Sequence, residues 1–183
     1  MSDCTAQEKS WIEACAQHKP VFQEKLFKHF YGFAMGICLR YLPDKTLAQE
    51  ALNDSFLKIF HQLPYDYKKI TSFRAWARRL IIHTAIDYFR KEKKHFYHSD
   101  HDIEETSLQE NFFDRESAEE IIRLLNQLPP LWKVVFNLYE VEGYSHEEIG
   151  QMMQIPASSS RTYLTRAKQQ LRVLINTHNR TMQ

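Results

Sequence analysis

Ser158, Ser159, Thr162, Thr165, Arg166 and Gln169 recur, near the end of this 183-residue chain, at a spacing that gathers them on one side of a helix. Arg161, Lys168 and Arg172 run along the flank of that side. At about 100° per residue it lies opposite an apolar stripe of Leu164, Ala167, Leu171, Leu174 and Ile175. Small hydroxyls and amides suit close approach to base edges in a major groove, and flanking cations suit phosphates. A solvated helix face is the plain alternative, and the absence of any acidic residue from Ile155 onward argues against it. A second group comes earlier. Tyr65, Tyr67, Lys68 and Lys69 set aromatic rings beside ammonium groups, a combination suited to stacking on unpaired bases while holding their phosphates.

Other chemistries lack their parts. His95, His98 and His101 cluster beside Asp100 and Asp102, ligand types that suit zinc, but in a polar stretch without a cysteine. His146-Glu147 opens the pattern of a zinc-protease helix, yet Gly150 stands where a second histidine is required. Neither a nucleophile elbow nor a glycine-rich phosphate loop occurs. Cys4, Cys15 and Cys38 include no CxxC pair and are odd in number, so they read as reduced thiols. The expectation is a protein that is not an enzyme, with no catalytic residue, no metal and no cofactor.

The net charge of +1 conceals a strong pattern. Phe73 to Lys94 carries Arg74, Arg78, Arg79, Arg90, Lys91, Lys93 and Lys94 against Asp87 and Glu92, a local net of +5. Ile155 to the end carries Arg161, Arg166, Lys168, Arg172 and Arg180 against none, again +5. Ser99 to Glu120 holds nine acidic residues against Arg115, a net of −8. Two basic patches therefore flank an acidic connector, a layout that suits a nucleic-acid partner despite the balanced total. The amino terminus has no basic-then-apolar secretory profile, and no run approaches the roughly 20 apolar residues of a membrane span, so a cytoplasmic protein is expected.

Positioning these groups falls to helices. Glycine occurs only four times and apolar residues recur at helical spacing, which predicts an all-α protein of two small helical domains joined by a flexible acidic linker. The first domain is expected over residues 20–94, as three or four helices with breaks at Pro43 and Pro64. On its first basic helix, Phe73, Trp76 and Leu80 share one face and are expected in the core. Residues 95–116 form the linker, too polar to offset ordering entropy by burial. The second domain, 117–178, starts at a Ser117/Glu120 capping box, with Ile121, Leu124, Leu125 and Leu128 as a buried face. After Pro129-Pro130, Leu131, Val134, Val135 and Leu138 mark another helix, which Gly143 ends. Ser145 and Glu148 then cap a short helix carrying Ile149, Met152 and Met153 inward; Pro156 turns the chain into the last helix, completing a helix-turn-helix.

Glu142-Gly143-Tyr144-Ser145-His146-Glu147-Glu148-Ile149-Gly150, followed by Arg166-Ala167-Lys168 after Leu164, resembles the carboxy-terminal helix-turn-helix domain of the extracytoplasmic-function sigma factors, in the sigma-70 family. Leu128-Pro129-Pro130 is similar to the same family. Independently, Phe73-Arg74-Ala75-Trp76 with Ala85-Ile86-Asp87-Tyr88-Phe89-Arg90 resembles its promoter-melting helix, and Glu50 to Phe60 its polymerase-binding helix. The ordered pair on either side of a linker makes the resemblance specific.

The resemblance implies an alternative sigma factor that binds core RNA polymerase, at its clamp and flap, and directs promoter-specific transcription initiation. The first domain would recognise the melted minus-10 element through Tyr65, Tyr67, Lys68 and Lys69 of a recognition loop over residues 64–72, with Arg78, Arg79 and His83 on the basic helix. Gln49, Glu50, Asn53, Asp54 and Lys58 would face polymerase. The second domain would read the minus-35 element as duplex through Ser158, Ser159, Arg161, Thr162, Thr165, Arg166 and Gln169. An anti-sigma partner, often membrane-bound in this family, and a monomeric free protein are further expectations. The sequence departs from the family pattern at four positions: His83 replaces a usual Asn, Glu50 and Asn53 replace Asp and Gln, and Gln154 stands where Gly is usual in the turn. A stand-alone regulator binding duplex DNA through the second domain is the rival reading. It has no use for a basic helix beside an aromatic loop.

Overall fold

The computed structural model describes residues 4–96 and 123–181, in two compact units. The expected acidic linker, the histidine cluster and the Ser117/Glu120 cap lie outside the described residues, apart from the backbone of 95–96, which continues the last helix of the first unit.

The first unit is built from α1 (Ala6–Ala16), α2 (Pro20–Tyr41), α3 (Lys45–Asp66) and α4 (Phe73–Phe96). The first three starts have a local cause. Thr5 and Glu8 close a capping box on α1, Pro20 supplies the fixed φ of the first turn of α2, and the Asp44 carboxylate accepts from the Leu47 amide at 2.8 Å. Between α2 and α3, Leu42 precedes Pro43 and is extended (φ −109°, ψ 148°), as the proline ring demands of its predecessor. Leu26, Phe30, Ile37 and Cys38 of α2 meet Leu52, Phe56, Ile59 and Leu63 of α3 and Phe73, Ile81, Ile82 and Ile86 of α4 in an apolar core. Alanines 48, 51, 77 and 85, all buried, give the helices room to approach.

Three sequence expectations need correction. The helix α1 precedes the expected start at Pro20, yet its Ile12 and Cys15 are fully buried against the unit. Pro64 does not break α3. It lies in the last turns, where the ring removes a single donor, and the Tyr67 amide still reaches Leu63 O at 2.8 Å while Leu63 and Ile70 stay anchored in the core. Of the face Phe73, Trp76, Leu80, only Phe73 is buried; Ala77 and Ile81 take the core positions and leave Trp76 and Leu80 half-buried.

The second unit comprises a helical stretch at 123–126, then α5 (Pro130–Phe136), a widened π-helical turn (Asn137–Val141), α6 (His146–Met153) and α7 (Ala157–Thr181). The widened turn closes through the Glu142 amide to Asn137 O at 3.0 Å, and Gly143 follows at φ 78°. Leu128, Val134, Val135, Leu138, Ile149, Met153, Leu164 and Ala167 form its core. The stripe on α7 fades along the helix: Leu171 and Leu174 are half-buried and Ile175 is exposed, because α7 extends past the helices that cover its first half.

Candidate nucleic-acid interface

The turn between α6 and α7 is set by three residues. Ser145 caps α6, its hydroxyl accepting from the Glu148 amide while the Glu148 carboxylate accepts from the Ser145 amide. Gln154 ends α6 in the left-handed region at φ 54°, ψ 47°, the conformation for which glycine is the easier residue. Gly150 lets the turn close: a Cβ there would stand 2.9 Å from the Ile155 carbonyl oxygen, whose own amide donates to Gly150 O at 3.0 Å.

The turn delivers α7 with Ser158, Arg161, Thr162, Thr165, Arg166 and Gln169 exposed, and Ser159 half-buried. The Thr162 and Thr165 hydroxyls donate back to Ser158 O and Arg161 O at 3.1 and 2.9 Å, so each offers outward its lone pairs and methyl group. Sequence reasoning missed the role of Ser160. It is fully buried, and its hydroxyl lies 2.9 Å from His146 Nδ1, while the His146 ring stacks on Tyr139 at 4.5 Å between centroids. Burial first, then the Arg161 cation, hold the His146 pKa below its ordinary value.

Flanking cations are not loose. Arg161 meets Glu147 at 2.6 Å, Lys168 meets Glu140 at 2.7 Å, and the Arg166 guanidinium stands 5.9 Å from the centroid of the Trp132 ring. Acids absent from the local sequence of α7 thus arrive from α6 and the widened turn, a pairing that no sequence pattern within α7 could disclose.

In the first unit, Tyr65 is 76% exposed but rides on the last turn of α3, so the connecting loop begins only at Tyr67. Lys68 and Lys69 are exposed on that loop, Tyr67 is half-buried, and Ile70 pins its end in the core. On α4, Arg79 and His83 are exposed and Arg78 is half-buried. Partial desolvation, then the Arg79 cation, lower the His83 pKa.

The proposed polymerase face of α3 divides in two. Glu50, Asn53 and Lys58 are exposed, with Leu57 beside them at 67% exposure. Asp54, however, accepts from the Tyr88 hydroxyl at 2.7 Å, and Lys58 donates to Thr84 Oγ1 at 3.0 Å, so both reach across to α4. Gln49 accepts from the Tyr31 hydroxyl at 2.5 Å and donates to Asn53 at 3.2 Å. The hydrogen bond to the Asp54 carboxylate first, and burial second, push the Tyr88 phenol up to about 12.

Two helical units, the second a helix-turn-helix with a basic outer face, define a DNA-binding transcription protein. The model for sigma-70 region 2 matches residues 26–95 and that for sigma-70, region 4 matches residues 118–171, together more than half of the chain. The chain belongs to the sigma-70 family and is an extracytoplasmic-function sigma factor directing transcription initiation. It is 25% identical over 148 residues to the RNA polymerase sigma-H factor of Pseudomonas aeruginosa, covering 74% of this chain and 76% of that one. It is 24% identical over 157 residues to the ECF RNA polymerase sigma factor SigM of Bacillus subtilis, covering 84% and 94%. The sigma factor RpoE from Bartonella quintana, solved in complex with the anti-sigma factor NepR, has the same fold at a TM-score of 0.52 and 14% identity, over 84% of this chain and 96% of that one.

Proposed function

We propose that this sigma factor divides promoter recognition between its units, within the boundaries 20–94 and 117–178 extended by α1. The first half of α7 reads a duplex minus-35 element, with Ser158, Thr162, Thr165 and Gln169 toward base edges and Arg161 and Arg166 toward guanine edges or phosphates. The observation that carries this reading is the exposed polar face of α7, delivered by a closed helix-turn-helix and holding no acidic residue of its own. Tyr65, Tyr67, Lys68, Lys69, Arg78, Arg79 and His83 meet the single-stranded minus-10 element, where rings stack and cations hold phosphates. Glu50 and Asn53, around the exposed Leu57, face the clamp of core RNA polymerase, and the second unit meets its flap. Among the described residues no helix is long and apolar enough to cross a membrane, in keeping with action beside the chromosome in the cytoplasm.

An anti-sigma partner fits the same surfaces, which must stay accessible in the active protein. The catalytic centre of transcription is polymerase's, and this chain contributes recognition without an enzymatic step. Run-off transcription with bacterial core polymerase on a promoter library tests the assignment. Defined starts that need both the chain and an intact Arg166 are expected; starts unaffected by Arg166→Ala and by changes at Tyr65 and His83 would refute the division of labour.

A further inference from the structure

Consecutive residues in the first turn of α6 grip consecutive residues of α7. His146 meets Ser160 at 2.9 Å and Glu147 meets Arg161 at 2.6 Å, each pair fourteen residues apart. The two contacts differ in kind. Ser160 is fully buried and His146 half-buried, so their bond belongs to the packing of the two helices. Glu147 and Arg161 are both more than half exposed, at 63% and 56%. An ion pair so open to water adds little to stability, about as much as it loses in side-chain entropy. Removing it should therefore leave the fold intact, and what the pair does change is where the Arg161 guanidinium points and what charge stands beside it.

Resting on the promoter-reading role proposed for α7, we infer that Glu147 is a positioning residue that makes Arg161 selective. The carboxylate holds the guanidinium across the turn, so that Arg161 enters the groove in one direction and meets one base edge in place of sweeping along phosphates. The same negative charge, close to the DNA-facing surface, opposes binding to duplex of arbitrary sequence. Arg161 is the cation so treated at the start of α7; Arg166, one turn further on, packs beside Trp132. Selectivity and background affinity are thus set by one carboxylate, acting with opposite signs.

The test uses holoenzyme assembled from the full chain and core polymerase, with duplexes randomised through the minus-35 element as the probe. Glu147→Gln should flatten base preference at the position governed by Arg161 by roughly tenfold, the scale of one guanidinium–base contact. It should also raise affinity for unrelated duplex and steepen its salt dependence. Glu147→Asp keeps the charge but shortens the reach, and should lose the preference while leaving background affinity as in the parent. Preference unchanged in Glu147→Gln, or retained in full by Glu147→Asp, would overturn the inference. Arg161→Ala separates the two readings. If it has no effect on minus-35 preference, Arg161 reads no base and the inference fails with it; if it flattens preference while Glu147→Gln does not, only the positioning role of Glu147 fails.

Discussion

Replacing Glu8 with Gln should weaken the first unit by about 2 kcal/mol at neutral pH, and the structure gives the reason for the size. The Glu8 side chain is only 4% exposed; its carboxylate accepts from the Thr5 amide at 2.7 Å, and one oxygen lies 2.8 Å from His29 Nε2 and 3.1 Å from the Arg74 guanidinium. These partners, the Thr5 amide foremost and against the cost of burial, pull its pKa from 4.5 to about 2. A depression of that size corresponds to about 3 kcal/mol of folded-state preference for the anion. Gln keeps the bond to the Thr5 amide, and His29 and Arg74 are 42% and 45% exposed, so part of that figure is retained or screened. Because the folded carboxyl titrates below the unfolded one, this stability is present above pH 4.5 and is lost as pH falls toward 2. Urea unfolding followed by tryptophan fluorescence in a Trp132→Phe background reports the first unit through Trp11 and Trp76. The gap between parent and Glu8→Gln should be full at neutral pH and shrink on acidification. A gap below about 0.5 kcal/mol at neutral pH, or one that does not shrink with acid, would refute the account of α1 as held by a buried anion.

Gln154→Gly should stabilise the second unit by about 0.5–1 kcal/mol, since a side chain at a left-handed position is strained; thermal unfolding of that unit checks it, and a lower melting temperature would count against it. Tyr88→Phe removes the bond to Asp54 and should lower first-unit stability by about 1 kcal/mol without a specific loss of polymerase affinity. Asn53→Ala should do the reverse, weakening binding to core polymerase in a pull-down titration while leaving the urea midpoint in place. Arg166→Ala should weaken duplex minus-35 binding and reduce the slope of its salt dependence by about one unit, whereas His83→Ala should act on strand opening, read by permanganate reactivity of the melted element.

The sequence by itself determined most of the helices, the two-part organisation, the helix-turn-helix and the family, because each rests on signals within a few residues of one another. Ser145 and Glu148 form the capping box that their spacing predicts, Pro43 separates α2 from α3, and the apolar positions of α3 and α4 recur at the helical period. Pro64 misled because a proline disturbs only the bond to the carbonyl four residues before it, a local loss that burial of the flanking residues can outweigh, and Leu63 and Ile70 are anchored in the core. Only the tertiary structure decided the rest. The polar stretch Ala6–Ala16 gave no strong apolar stripe, and it joins the core because α2 and α4 supply His29 and Arg74 to the carboxylate of Glu8. Asp54 and Lys58 share a helix with Glu50 and Asn53, yet the neighbouring α4 claims them. Arg161 and Lys168 read as unopposed cations along α7 until the fold brings Glu147 and Glu140 to them. Helix propensity, capping and periodicity act over one or two turns, whereas partners for charged groups come from wherever packing brings other elements, and that information is not local in the chain.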